Sequence, residues 1–283
     1  KYYRPSSGWF SSTIVSKKLQ KKTMKISLRV IFSLIIISLS TTNLTAAEQA
    51  AKPLSPGWSF KGFFGKFDRA SLQRGYQVYS EVCAACHSMK YLTYRNLAEP
   101  GGPEFSVDQA KIIASNYEVT DGPNSDGEMF TRSARLSDNF VGPYPNDQAA
   151  TAANGGAYPP DMSVLVKARK GGADYIYSVL LGYDEPPEGM ILDDGVYYNT
   201  YMAGNKIKMS NPLSEDLVEY IDGTKASNEQ MAKDVTTFLA WAAEPTLEQR
   251  HKLGFRALIY LLIITVLVYF SMKRIWSRIE TKI

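Results

Sequence analysis

Cys83-Ala84-Ala85-Cys86-His87 constrains this chain more than any other stretch of its 283 residues. It holds both of the chain's cysteines and one of its two histidines, the other being His251. A disulfide between neighbours this near would close a very tight loop, which disfavours a structural bridge. Two thiols cannot build a four-cysteine metal site, and a zinc site would lack ligands with only His251 left to recruit. A thioredoxin-like dithiol needs a strand before the motif and a helix after it, whereas here the motif ends a helix-like stretch. The spacing does suit covalent attachment of haem c. Two thiols add to the two vinyl groups of one porphyrin, and the adjacent imidazole is held beneath the iron. Cys83, Cys86 and His87 are therefore the candidate haem-binding residues, with His87 the proximal iron ligand and one covalent haem c the expected cofactor.

The sixth iron position decides what such a haem does. An open position suits gas binding or peroxidase chemistry, and a thioether or second imidazole suits electron transfer. His251 lies beside a long apolar segment, so the distal ligand falls to a methionine. Met89 is too near the attachment turn, Met231 fits an apolar helical stripe, and Met272 lies in the apolar segment. Met129, Met162, Met190, Met202 and Met209 remain. In small c-type domains the ligand loop precedes the C-terminal helix, which favours Met202 or Met209.

Charge divides the chain into three. Residues 1–47 hold eight Lys/Arg and no Asp/Glu, and residues 250–283 hold seven and one, which leaves 17 basic against 27 acidic residues in 48–249. A balance of −10 argues against nucleic-acid binding by the middle region and suggests a cationic partner. The basic ends flank apolar runs. Lys25 and Arg29 precede Val30–Ile37, and Thr45-Ala46-Ala47 follows, so residues 24–47 read as a secretory signal peptide. Residues 1–23 lie ahead of Met24 and read as an upstream extension outside the mature fold. Near the other end, Ala257–Met272 carries no charge, and Gly254, Phe255 and Arg256 extend it. Residues 254–272 are thus the expected single transmembrane anchor in the lipid bilayer, with 273–283 as a cytoplasmic tail.

Between these segments, 48–250 reads as one periplasmic domain. Leu72, Tyr76, Tyr79 and Cys83 recur at helical spacing, which predicts a helix over Asp68–Cys86. Ser227-Asn228-Glu229-Gln230 has the form of a capping box ahead of an apolar stripe at Met231, Val235, Phe238, Leu239 and Ala242, closed by Pro245. From 100 to 225 the chain is crowded with Gly and Pro, which implies turns, short helices and irregular chain wrapped around something.

Longer motifs give a resemblance. Val82–Met89, Asp121-Gly122-Pro123-Asn124-Ser125-Asp126-Gly127-Glu128-Met129-Phe130, Arg135-Leu136-Ser137-Asp138 and Pro159-Pro160-Asp161-Met162-Ser163 are specific, as is Ala232-Lys233-Asp234-Val235 through Trp241-Ala242-Ala243-Glu244-Pro245. Over 55–283 the sequence resembles the cytochrome c1 family of quinol–cytochrome c reductase complexes. The resemblance implies a mainly α, cytochrome c-like haem domain with long loop insertions and one C-terminal transmembrane helix. It places the distal thioether at Met209, in Ile207-Lys208-Met209-Ser210-Asn211-Pro212, although the family commonly has proline where this chain has Asn211. It also matches Arg132 to an arginine that pairs with a haem propionate. The function it implies is one-electron transfer from the Rieske iron–sulfur subunit to cytochrome c, beside cytochrome b, in a bacterial inner membrane. No residue is expected to do bond chemistry.

Overall fold

The structure is a computed structural model, and it describes residues 51–280. The expected extension, signal peptide and last tail residues lie outside that range. Two helices from opposite ends of the domain form its centre. Helix α1, Arg69–Glu81, begins at Asp68, whose carboxylate accepts from the N–H groups of Ala70 and Ser71. It buries Leu72, Tyr76, Val78 and Tyr79. Helix α5, Asn228–Ala243, buries all five residues of its expected stripe. The rings of Tyr76 and Tyr79 meet Phe238, and Phe238 meets Trp241. Fully burying side chains of this kind is worth roughly 1.5–3 kcal/mol each.

A single glycine lets the two helices touch. A Cβ at Gly75 would sit 2.1 Å from the carbonyl oxygen of Asp234, so the backbones meet with no room for a side chain. Beside this crossing the Asp234 carboxylate is wholly buried and fully used. It accepts from Ser71 Oγ at 2.5 Å, from Arg74 Nε and Nη2, and from Gln230 Nε2. That last bond alters the expected cap of α5. Ser227 does accept from the Gln230 N–H, but the Gln230 side chain turns inward to Asp234, so half of the capping box forms.

Between α1 and α5 run α2 (Val107–Ser115), α3 (Asp147–Ala153) and α4 (Gly172–Leu181), the last packed on α5. Two small antiparallel hairpins interrupt them. In the first, β1 (Glu118–Asp121) pairs with β2 (Phe130–Ser133), placing Glu118 opposite Ser133. In the second, β3 (Tyr197–Tyr198) pairs with β4 (Lys206–Ile207). The rest of 100–225 is turn and loop, so the architecture is mainly α.

Helix α6, Leu247–Glu280, has 34 residues, about 51 Å at ~1.5 Å per residue. It starts earlier than the predicted 254–272, because its first turn belongs to the domain. Leu247 is buried, and the Glu248 carboxylate accepts from the Phe67 N–H and from Arg69. Beyond that turn its apolar side chains are exposed, and it is the one helix among the described residues long and apolar enough to cross a membrane.

Candidate haem-binding site

The predicted helix over Asp68–Cys86 stops at Glu81, and the chain tightens into a 3-10 turn at Cys83–Ala85. The Cys83 carbonyl accepts from both Cys86 N–H at 3.1 Å and His87 N–H at 2.9 Å. This tightening turns the motif out of the α1 axis. Cys83 is buried at the helix end, Cys86 is exposed, and no disulfide joins them. Burial, helped by Cys86, pushes the Cys83 thiol up to about 12. A thiol held protonated in this way lacks the lowered pKa of a redox-active dithiol.

The imidazole of His87 is set by a backbone group on a distant loop. Its Nδ1 lies 2.8 Å from the carbonyl oxygen of Pro160. A carbonyl can only accept, so Nδ1 carries the proton and Nε2 keeps its lone pair. Burial lowers the His87 pKa, against the opposing effects of the Pro160 bond and Asp161, and so favours the neutral ring. The loop that supplies Pro160 is itself strapped to the attachment turn. Asp161 accepts from Ser88 Oγ, Lys90 N–H and Ser163 N–H, and the Met162 N–H donates to the Ser88 carbonyl at 2.8 Å. Sequence reasoning quoted this Pro-Pro-Asp stretch as a motif but assigned it no role, since a backbone carbonyl leaves no trace in a side-chain pattern.

The methionines separate by environment. Met89 and Met231 are fully buried in the core, Met162 is buried, and Met129 is 61% exposed. Met202 and Met209 are both half-buried, the first in the loop joining β3 to β4 and the second just past β4. The Met202 sulfur accepts from the Tyr175 hydroxyl at 3.1 Å. At Met209 the carbonyl accepts from the Tyr183 hydroxyl at 3.0 Å, which anchors the backbone and leaves the thioether uncommitted to a hydrogen bond. Tyr175 and Tyr183 were invisible to the sequence reading, which had no means of pairing them with either methionine.

Arg132 sits on β2 opposite Val119, and its guanidinium is already occupied by carboxylates. Nε donates to Asp121 at 2.5 Å, and Nη1 and Nη2 fork onto Asp138 at 2.6 and 3.1 Å. A further Nη1 bond reaches the Ser133 carbonyl. The clasp joins the first hairpin to the Arg135–Asp138 turn. Hydrogen bonds from Arg132 hold the carboxyls of Asp121 and Asp138 below the usual range. His251 lies at the root of α6, its Nδ1 3.3 Å from the Gly65 carbonyl.

Two unbridged thiols followed at once by an imidazole whose Nε2 lone pair is freed by a carbonyl on Nδ1 fit haem c. A mainly helical domain presenting this set, carried on one long apolar helix, has the design of a membrane-anchored c-type cytochrome.

Comparison with known proteins narrows the class. Residues 58–279 match the Cytochrome C1 family. The chain is 44% identical to the cytochrome b/c1 of Bradyrhizobium diazoefficiens over 97% of its own length, and it spans 42% of that longer relative. It is 47% identical to the mitochondrial cytochrome b-c1 complex catalytic subunit of Candida albicans, over 87% of this chain and 84% of the relative. It is also 47% identical to the mitochondrial cytochrome c1 haem protein of Saccharomyces cerevisiae, over 87% and 79%. The chain belongs to the cytochrome c1 family. Membership implies a haem c cofactor and an electron-transfer role.

Proposed function

We propose that the chain is the mono-haem electron relay of a quinol–cytochrome c reductase. It would accept one electron at a time from the Rieske iron–sulfur subunit and pass it to a cytochrome c, with cytochrome b as its companion in the membrane. The observation that carries this reading is the His87 ring, fixed by Pro160 and kept neutral by burial, beside two unbridged thiols. Bound there, haem c supplies a one-electron carrier whose potential is raised by thioether ligation.

Each residue has a separable task. Cys83 and Cys86 would hold the porphyrin as thioethers. His87 would offer Nε2 to the iron, its ring rotation and tautomer fixed by Pro160. Met209 would supply the second iron ligand; in support, Met202's sulfur is engaged by Tyr175, and Met89 and Met231 are locked in the core. Arg132 would meet a propionate only as a shared donor. Of its five N–H groups one on Nη2 is left over after Asp121, Asp138 and Ser133 are served. The haem domain faces the periplasm of a bacterial inner membrane, and residues 273–283 face the cytoplasm.

Haem staining after denaturing electrophoresis tests the attachment. Colour should stay with this band and vanish in a Cys83→Ala, Cys86→Ala double variant. Colour lost from the unmodified chain would sink the covalent reading. Purification in mild detergent tests the assembly, which requires a b-type cytochrome and a Rieske protein to co-migrate with it.

A further inference from the structure

Where the domain meets α6, the segment before α1 makes a corner that the relay function does not use. Phe64 is 74% and Phe63 52% exposed at the tip of a tight turn. The tip is held firmly. The Gly65 N–H donates to the Gly62 carbonyl, and the Lys66 N–H donates to the Ser59 carbonyl. A Cβ at Gly65 would lie 2.2 Å from the Phe60 carbonyl oxygen, so the chain doubles back there only because that residue is glycine. The returning strand of the turn is tied to the root of α6, with Phe67 N–H donating to Glu248 and the Gly65 carbonyl beside His251 Nδ1. The two rings therefore stand rigidly against α6. Phe63 and Phe64 meet edge-on at 4.9 Å, and both meet Phe255, at 6.3 and 6.0 Å.

Depth follows from helix geometry. Phe255 and Trp276 are about 31 Å apart along α6 at ~1.5 Å per residue. That separation matches a hydrocarbon core of ~30 Å with the heads of Lys273 and Arg274 reaching the far boundary beside Trp276, and it puts one aromatic group at each boundary. Phe63 and Phe64, packed on Phe255, share its level. Their apolar surface is continuous with that of the helix. Lys66, Lys252 and Arg256 are exposed there and form no ion pair among the described residues, although Glu248 feels the charge of Lys252. Nearby acids are already taken, Glu104 and Glu248 by Arg69, and Glu244 by Lys167 and Arg250. Apolar rings rimmed by exposed cations that form no ion pair match the boundary between acyl chains and anionic headgroups.

We infer that the Phe63–Phe64 corner is a second membrane contact, bedded in the bilayer interface beside α6, with Lys66, Lys252 and Arg256 facing anionic lipid phosphates. The corner would fix the tilt and height of the haem domain over the membrane, which one helix alone leaves free. The inference rests on the reading of α6 as a membrane anchor, and the test separates the two.

The full chain, in its complex, is reconstituted into vesicles of phosphatidylcholine and phosphatidylglycerol with F64W or L262W installed, and emission is read as the difference from the parent. F64W should lose emission most to lipids brominated high on the acyl chain, and L262W most to lipids brominated near its end. Brominated phosphatidylglycerol should quench F64W more than brominated phosphatidylcholine, a preference lost on adding K66E and K252E. Quenching of L262W without quenching of F64W overturns the corner contact and leaves the anchor standing. If F64W is then open to aqueous quencher, the corner is in water; if it is shielded from both, another subunit covers it. L262W untouched by bromolipid overturns the anchor and the corner together. Equal quenching by the two brominated lipids overturns the headgroup pairing.

Discussion

Met209 and Asp234 show how differently one residue can matter in this domain. Met209 holds its place through its carbonyl on Tyr183, so its side chain can be changed without disturbing the fold. Met209→Leu should remove the long-wavelength thioether-to-iron band of the ferric protein and lower its potential, while Met202→Leu leaves both in place. Optical spectra and a redox titration of the two variants decide it, and the reverse outcome would move the ligand to Met202. Asp234 has the opposite character. Its carboxylate is wholly buried and tied to Ser71, Arg74 and Gln230, so Asp234→Ala strands the Arg74 guanidinium without its inner partner. Breaking one side of a buried pair costs about 3–5 kcal/mol, which urea denaturation should report as a lowered midpoint with little change in slope.

Among the elements, the α1–α5 crossing is the least tolerant place in the fold. Gly75→Ala pushes a methyl group into the Asp234 backbone, and neither helix can yield without opening the ring cluster around Phe238. Overpacking typically costs ~1–3 kcal/mol, and a clash with backbone belongs at the upper end. Thermal melting of Gly75→Ala against the parent checks this. Docking of the N-terminal segment on α4 depends on pH. Burial raises the Asp174 pKa, but bonds from Lys61 at 2.6 Å and Trp58 Nε1 at 2.5 Å outweigh it and hold the carboxyl below its usual value. A carboxyl depressed in the folded state stabilises above the ordinary Asp value, about 4, and loses that contribution as pH falls through the lower folded value. Asp174→Asn should therefore be less stable than the parent at neutral pH, and the gap between their melting temperatures should close in acid. The same elements show what the sequence could reveal. The α5 stripe and the apolar run of α6 were legible because helical periodicity and continuous hydropathy are local signals. The early start of α6 was not, since Glu248 is held by Arg69, far away along the chain; nor were the inward turn of Gln230 and the Arg132 clasp, whose partners Asp234, Asp121 and Asp138 are near in sequence but are selected by how the buried cluster and the first hairpin fold. The hairpins went unread because their strands are too short for alternation to stand out among glycines and prolines.

At the scale of the whole molecule, charge is divided between the domain and the α6 end. Residues 250–283 carry seven bases and one acid, whereas residues 48–249 carry 27 acids against 17 bases. Much of that acidity is not used in holding the fold. Asp184, Glu185, Glu188, Asp193 and Asp194 are exposed on the chain between α4 and β3, and none has an ion-pair partner among the described residues. An uncompensated acidic stretch held clear of the core attracts a basic protein over roughly one Debye length, ~8–10 Å at physiological salt. Such steering raises encounter rates by ~10–10³-fold and weakens steeply with salt, because it acts before contact. Stopped-flow oxidation of the reduced complex by a basic cytochrome c, from low to high ionic strength, measures it directly. The second-order rate should fall as salt rises, and the slope should flatten once Asp193 and Asp194 are both changed to Asn, with the unimolecular step unchanged. A salt slope left unaltered by that double variant would place docking on another face of the domain. A rate indifferent to salt in the parent would mean that the acidity serves solubility and that the acceptor is held by apolar contact instead.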